Sequence, residues 1–76
     1  MKLSDELNEK IIAAHKQNDR NNLSRLYESL GKIELKKNNT DAGCFFLTNA
    51  YTYALEENLK SAKKIHEILK LYGREE

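Results

Sequence analysis

The apolar run CFFLTNAYTYAL at residues 44–55 constrains the fold of this chain more than any other stretch. On a helix that turns about 100° per residue, its apolar side chains cover well over half of the circumference. Only a narrow polar strip remains, made of Thr48, Asn49, Thr52 and Glu56. A helix with so wide an apolar surface needs neighbours on at least two sides, so we expect it to be central in the fold.

The chain has 76 residues, no proline and only 3 glycines. It also lacks stretches in which apolar and polar residues alternate, as they do in half-buried strands. These features predict a single all-α domain over residues 1–76. A domain of this size buries one layer of side chains between its helices and has no room for a deep enclosed active site. Its function is therefore expected on a surface or in a shallow groove.

Apolar stripes with helical spacing predict helices at about 4–18, 22–37, 41–57 and 59–72. The residues expected to cap their starts are Ser4, then Asn21 or Asn22, then Thr40 with Asp41. Gly73 is placed to end the last helix in a left-handed conformation. Because the turns are short, consecutive helices are expected to be antiparallel, which gives two helical hairpins. These hairpins form either an open array or a compact four-helix bundle.

Gly31 lies inside the second predicted helix. An interior glycine costs about 1 kcal/mol relative to alanine, so it needs a structural reason. The apolar stripe continues across it through Leu30 and Ile33. We therefore expect Gly31 to let another helix approach closely rather than to end its own helix.

The second hairpin resembles a tetratricopeptide repeat, a helix pair with the pattern W-x2-L-G-x2-Y, then A-x3-F, then P. The matching residues are Phe46-x2-Asn49-Ala50-x2-Tyr53 and Ala62-x3-His66. Ala50 and Ala62 are the small residues that let paired helices approach. The chain departs from the pattern at Asn49 and His66 and in lacking the proline. The match spans residues 43–76.

A competing register uses Tyr27-x2-Leu30-Gly31 and then Gly43-x3-Leu47, which pairs the second helix with the third. Both registers stay open from the sequence, although the turn at Asn58 favours the first. The end of the chain also resembles a group of short bacterial helical proteins without an assigned activity. The tetratricopeptide resemblance implies a fold that binds proteins or peptides on the first helices of its pairs.

Stacked helical repeats need about three units to bury a continuous core, and two are predicted here. The chain is thus expected to close into a bundle, to associate with itself, for example as a homodimer, or to be completed by a partner protein. We predict a non-catalytic protein–protein interaction module. The candidate contact residues are Leu7, Tyr27, Phe45, Asn49 and Tyr53.

Each candidate also has a simpler interpretation. Tyrosine is frequent at protein interfaces, but the rings of Tyr27 and Tyr53 could instead pack between helices with their hydroxyls in solvent. Asn49 on the polar strip could be an ordinary solvated side chain. Phe45 falls within the polar strip, where it either fills a gap under the 38–40 loop or contacts another chain.

Lysines at one face of the fourth helix suggest an alternative, a nucleic-acid-associated or ribosome-associated protein. The patch consists of Lys60, Lys63, Lys64 and Lys70, with Lys36 and Lys37 as a smaller second cluster. The net charge of only +1 does not favour nucleic acid as a partner. Because Glu67 interrupts the patch, a solvated helix face is the simpler interpretation.

No pattern for chemistry accompanies these residues. His15, His66 and the single cysteine Cys44 lack the spacing of a metal site, and Cys44 has no adjacent cation to activate its thiol. We expect no enzyme activity, no cofactor and no metal. The polar N-terminal stretch does not resemble a signal peptide, and no run reaches the length of a membrane span. A cytoplasmic protein without membrane contact is the expectation.

Overall fold

The computed structural model describes residues 3–74, which form α-helices and no strand. The helices are α1 (Leu3–Gln17), α2 (Arg20–Lys36), α3 (Thr40–Glu56) and α4 (Ser61–Leu71). The prediction of an all-α fold is confirmed. The predicted ranges differ from the observed ones by one or two residues at every end. The side chain of Ser4 and the residues Glu75 and Glu76 lie outside what the structure describes.

Helices that follow one another in sequence pack together. Helix α3 lies against both α2 and α4, and α1 packs against α2, whereas α1 and α4 share no extensive contact within residues 3–74. The Cα atoms span 32 × 30 × 14 Å, so the molecule is flat. This open array of helical hairpins places α3 between two neighbours, as its wide apolar surface requires.

The core consists of two apolar clusters, one on each side of the array. The first joins α1 and α2 and contains Leu7, Ile11, Ala14, Leu23, Leu26 and Leu30. The second joins α3 and α4 and contains Cys44, Leu47, Ala50, Ala54, Ile65 and Leu69. Tyr27 packs against both clusters. It therefore connects the two halves of the core.

The closest helix packing is between α2 and α3, where Gly31 faces Gly43. A Cβ atom on Gly31 would lie 2.8 Å from Cγ of Leu47 and 3.0 Å from the carbonyl oxygen of Gly43. A Cβ atom on Gly43 would lie 2.7 Å from the side chain of Leu35. The expectation that Gly31 permits close approach is confirmed.

A second contact follows two turns along the same crossing. The hydroxyl of Ser24 donates a hydrogen bond of 2.8 Å to the carbonyl oxygen of Ala50, in a buried position. Ser24 precedes Gly31 by seven residues, and Ala50 follows Gly43 by seven, as expected for antiparallel helices with matched small residues. The α2–α3 pair is therefore the structural centre of the array.

Each helix ends with a residue in the left-handed conformation. These are Asn18, Asn38, Asn58 and Gly73, with φ angles of 57°, 67°, 55° and 71°. After each one, the next backbone N–H returns to a carbonyl five residues earlier, as in the bond from Arg74 to Leu69 of 2.9 Å. This is the Schellman arrangement, which asparagine and glycine tolerate best. The predicted role of Gly73 is confirmed.

The start of α2 differs from the prediction. The helix begins at Arg20, and its capping residue is Asp19, whose side chain accepts a hydrogen bond from the backbone N–H of Asn22. Asn21 and Asn22 lie inside the helix. The turn after Asn18 leaves only one residue before the helix, so the cap falls on Asp19. Helix α4 begins two residues later than predicted, at Ser61.

Candidate protein-interaction surface

Aromatic rings from three helices meet on one side of the array. We call this group the aromatic surface. It consists of His15 of α1, Tyr27 of α2, and Phe45, Phe46 and Tyr53 of α3. Phe46 and Tyr53 are seven residues apart, which places them on one face of α3 two turns from each other. Tyr27 reaches them from the neighbouring helix.

The ring of Tyr27 lies between those of Phe46 and Tyr53. Its centroid is 6.2 Å from that of Phe46 and 6.0 Å from that of Tyr53, and the rings are inclined by 23° and 9°. His15 places its ring edge-on against both tyrosines, at 6.2 and 6.3 Å. Such offset and edge-on arrangements are favourable for aromatic pairs. The result is a row of rings from α1, α2 and α3 that pack against one another.

A hydrogen bond of 3.2 Å joins Nε2 of His15 to the hydroxyl of Tyr27. Burial first, and the neighbouring phenol of Tyr53 second, raise the pKa of Tyr27 above its ordinary value of 10.0. Tyr27 is therefore neutral at physiological pH, and its hydroxyl serves as a hydrogen-bonding group.

The raised pKa of Tyr27 predicts a loss of stability in alkaline solution. As the pH rises, the unfolded chain gives up this proton first, at its ordinary value of 10.0. The contribution to stability is thus fully present below pH 10.0 and is lost as the pH rises through the folded-state pKa. Urea titrations between about pH 9 and about pH 11 should show a smaller fall in the free energy of unfolding for Tyr27→Phe than for the unaltered chain. Identical falls would contradict a perturbed phenol.

Phe45 is the exposed edge of the aromatic surface. Its side chain is 65% exposed, and its ring contacts Phe46 edge-on at a centroid distance of 5.6 Å. It therefore does not fill a gap under the 38–40 loop, which was one of the two sequence interpretations. On α3 it stands among polar neighbours, with Asp41 one turn before it and Asn49 one turn after it.

The other candidate contact residues fall in different environments. Tyr27 and Tyr53 are half-buried, so part of each ring packs between helices and part faces solvent. Asn49 is half-buried too, and its Nδ2 donates to the carbonyl oxygen of Phe45 at 3.0 Å. Leu7 is buried, with 8% of its surface exposed, in the cluster between α1 and α2. It belongs to the core rather than to a contact surface, because α2 covers the apolar stripe of α1 that contains Leu7, Ile11 and Ala14.

The sequence did not assign His15 and Phe46 to this surface. Each contact depends on how helices that are distant in sequence pack together, and neither residue carries a local signal for it. His15 lies at the margin of the apolar stripe of α1, and the pattern of the run 44–55 predicts an ordinary core position for Phe46. The wide apolar surface of α3, which predicts helices packed on two of its sides, is the sequence signal that could have placed His15 and Phe46 near each other.

The lysine face of α4 is a separate surface. Lys60, Lys63, Lys64 and Lys70 are exposed. Within residues 3–74, none of them has a carboxylate oxygen within 4.0 Å. Of the second cluster, Lys37 pairs with Glu34 at 3.5 Å.

The residues considered for chemistry are not brought together. Cys44 is buried, with 2% of its surface exposed, and His66 stacks on Tyr51 at 5.3 Å. In the described part of the chain, no three side chains of the types His, Cys, Asp and Glu are placed to hold a metal ion. A shallow polar depression of about 350 Å³, absent from the sequence predictions, lies at the α1–α2 turn between Asn18, Asp19, Asn21 and Glu57.

No helix within residues 3–74 combines the length and apolar character needed to cross a bilayer. The chain was also compared with protein families, characterised proteins and solved structures. None of them matches it.

Proposed function

We propose that this chain is a non-catalytic protein–protein interaction module and that the aromatic surface is where it binds its partner. The observation that carries this proposal is the exposure of Phe45 beside a row of packed rings. Burying a phenylalanine side chain fully stabilises a complex by about 1.5–3 kcal/mol. Interface energy concentrates in aromatic residues that are held in place before binding.

The chemistry of the surface defines the partner. Phe45 and the edge of Phe46 offer apolar contact, whereas the hydroxyls of Tyr27 and Tyr53 offer hydrogen bonds. A complementary protein segment would therefore present an apolar side chain to Phe45, flanked by polar groups that reach the tyrosines. Such a mixture of aromatic anchor and polar border is typical of protein interfaces.

We also propose that the array is of the tetratricopeptide type, with α2 and α3 as its repeat. The matched glycines Gly31 and Gly43 support this register, because they occupy the small-residue positions of the second pattern match. The single reduced and buried cysteine is compatible with action in the cytoplasm.

A photo-crosslinking amino acid at position 45 tests the proposed surface directly. We expect that p-benzoylphenylalanine in place of Phe45, in the native host, crosslinks a defined protein species after irradiation. The same replacement of Leu55 is the matched control, since this residue is also on α3 and is 53% exposed but is not part of the aromatic surface.

The captured protein is then purified and titrated against the unmodified chain and against Phe45→Ala and Leu55→Ala. Loss of the Phe45 contact should weaken binding by about tenfold or more, which corresponds to about 1.4 kcal/mol. Leu55→Ala should bind as the unmodified chain does. Equal crosslinking from both positions, or equal affinity of both alanine variants, would contradict the proposal.

A further inference from the structure

Helix α4 presents a basic outward face. Its buried side consists of Ile65 and Leu69, and the lysines of the face lie on the remaining circumference. They are Lys60, Lys63, Lys64 and Lys70, all without a carboxylate within 4.0 Å among residues 3–74. Leu71 is 84% exposed and, seven residues after Lys64, shares this face.

Helix α1 presents an acidic outward face in its first half. Asp5, Glu6 and Glu9 are exposed on the side opposite the buried residues Leu7 and Ile11. In the described part of the chain, none of these carboxylates has a basic nitrogen within 4.0 Å. Ile12, which is 51% exposed, lies three residues after Glu9 and so on the same side of the helix. The exposed Lys16, seven residues after Glu9, is a cation on this side in the second half of α1, so the face carries three carboxylates and one ammonium group.

These two faces are at the ends of the series of packed helices. Helix α1 packs on α2 and helix α4 on α3, and α1 and α4 have no extensive contact with each other in residues 3–74. The array therefore carries an acidic face with one exposed isoleucine at its first helix and a basic face with one exposed leucine at its last helix. The two faces are complementary in charge, and each offers one apolar side chain.

We propose that a second copy of this chain docks head to tail, with the basic face of α4 in one copy against the acidic face of α1 in the next. Because the two faces lie on the first and last helices of the series, a head-to-tail contact pairs them once and is heterologous, and each added copy leaves one face of each sign open. Association then continues into a longer assembly or closes into a ring. The charges fit a second copy better than nucleic acid, since the net charge of the chain is only +1 and Glu67 interrupts the lysines.

Reciprocal charge reversal tests the contact. One variant carries Asp5→Lys and Glu9→Lys, so that both of its end faces are basic. The other carries Lys63→Glu and Lys70→Glu, so that both are acidic. Sedimentation velocity of the full chain at about 20 mM salt, repeated at about 500 mM, measures assembly, because added salt screens such exposed charges. Far-UV circular dichroism checks that each variant keeps its helices, and Glu6→Lys with Glu9→Lys replaces the first variant if it does not.

We expect the unaltered chain to assemble at low salt and to dissociate at high salt. Each variant alone should assemble at least about tenfold more weakly, and an equimolar mixture of the two should recover assembly to within about threefold of the unaltered chain. A chain that sediments as a single copy at about 1 mM protein and low salt overturns the proposal, as does a mixture that fails to assemble. An unaltered chain that stays single but binds an oligonucleotide through Lys63 and Lys70 also overturns it, and assigns the lysine face to nucleic acid. These readouts do not involve Phe45, so they are independent of the proposed partner surface.

Discussion

Gly31→Val is expected to destabilise the fold by about 3 kcal/mol, even though valine has a higher helix propensity than glycine. The added Cβ alone would lie 3.0 Å from the carbonyl oxygen of Gly43, which is backbone and cannot rotate away. The two methyl groups of valine extend further towards α3. Urea unfolding followed by circular dichroism measures the difference in the free energy of unfolding.

Ser29→Val is the matched control, because Ser29 is an exposed residue of the same helix. This substitution should change the free energy of unfolding by no more than about 0.5 kcal/mol. If Gly31→Val were as stable as Ser29→Val, the two helices could not cross as closely as the structure has them. The α2–α3 pair could then no longer be regarded as the structural centre of the array.

The expectation for Gly31 could be made from the sequence because the apolar stripe continued across the glycine. A helix that keeps its pattern through such a residue does not end there, so the glycine must serve packing. The same logic identified α3 as central from its wide apolar surface. Both inferences rest on local periodicity, which one helix carries by itself.

Phe45 was identified for a related reason. A phenylalanine within the polar strip of its own helix breaks the local pattern, and such breaks are expected where function competes with folding. From the sequence alone, Phe45 could either fill a gap under the 38–40 loop or be an exposed contact. That choice depends on where the loop between α2 and α3 runs, which is a tertiary property.

Roles that depend on packing between helices could not be predicted from the residue pattern within a single helix. The row formed by Tyr27, Phe46 and Tyr53 requires the α2–α3 crossing, and that crossing is set by small residues on both helices. The cap at Asp19 likewise depends on the left-handed conformation of Asn18, which shortens the turn and moves the helix start. The sequence offered several polar residues in this turn with similar capping strength.

The aromatic surface and the charged end faces would serve different contacts. The first lies across α1, α2 and α3, and its energy would come from burial of an aromatic side chain. The charged faces lie on the end helices α1 and α4. Contact between them would depend on exposed ion pairs, which contribute only about 0.2–1 kcal/mol each. Partner binding at the aromatic surface is therefore expected to persist at a salt concentration that separates the copies.

Leu7→Asp is expected to unfold the chain or nearly so, with a loss of more than about 4 kcal/mol. The substitution removes a leucine that is 8% exposed from the cluster between α1 and α2 and places a carboxylate at the edge of this apolar cluster. Lost burial contributes about 1.5–3 kcal/mol, and desolvation of the charge adds to it. For a small domain whose total stability is about 5–15 kcal/mol, this is a large fraction.

Phe45→Asp is the matched variant, since it introduces the same charge at a side chain that is 65% exposed. It should change the free energy of unfolding by no more than about 0.5 kcal/mol and should act only on partner binding. Urea unfolding of both variants, followed by circular dichroism at neutral pH, separates a core residue from a contact residue. A stable Leu7→Asp variant would contradict the burial of Leu7 and make it a candidate contact residue again. An unfolded Phe45→Asp variant would mean that Phe45 supports the fold rather than an interface.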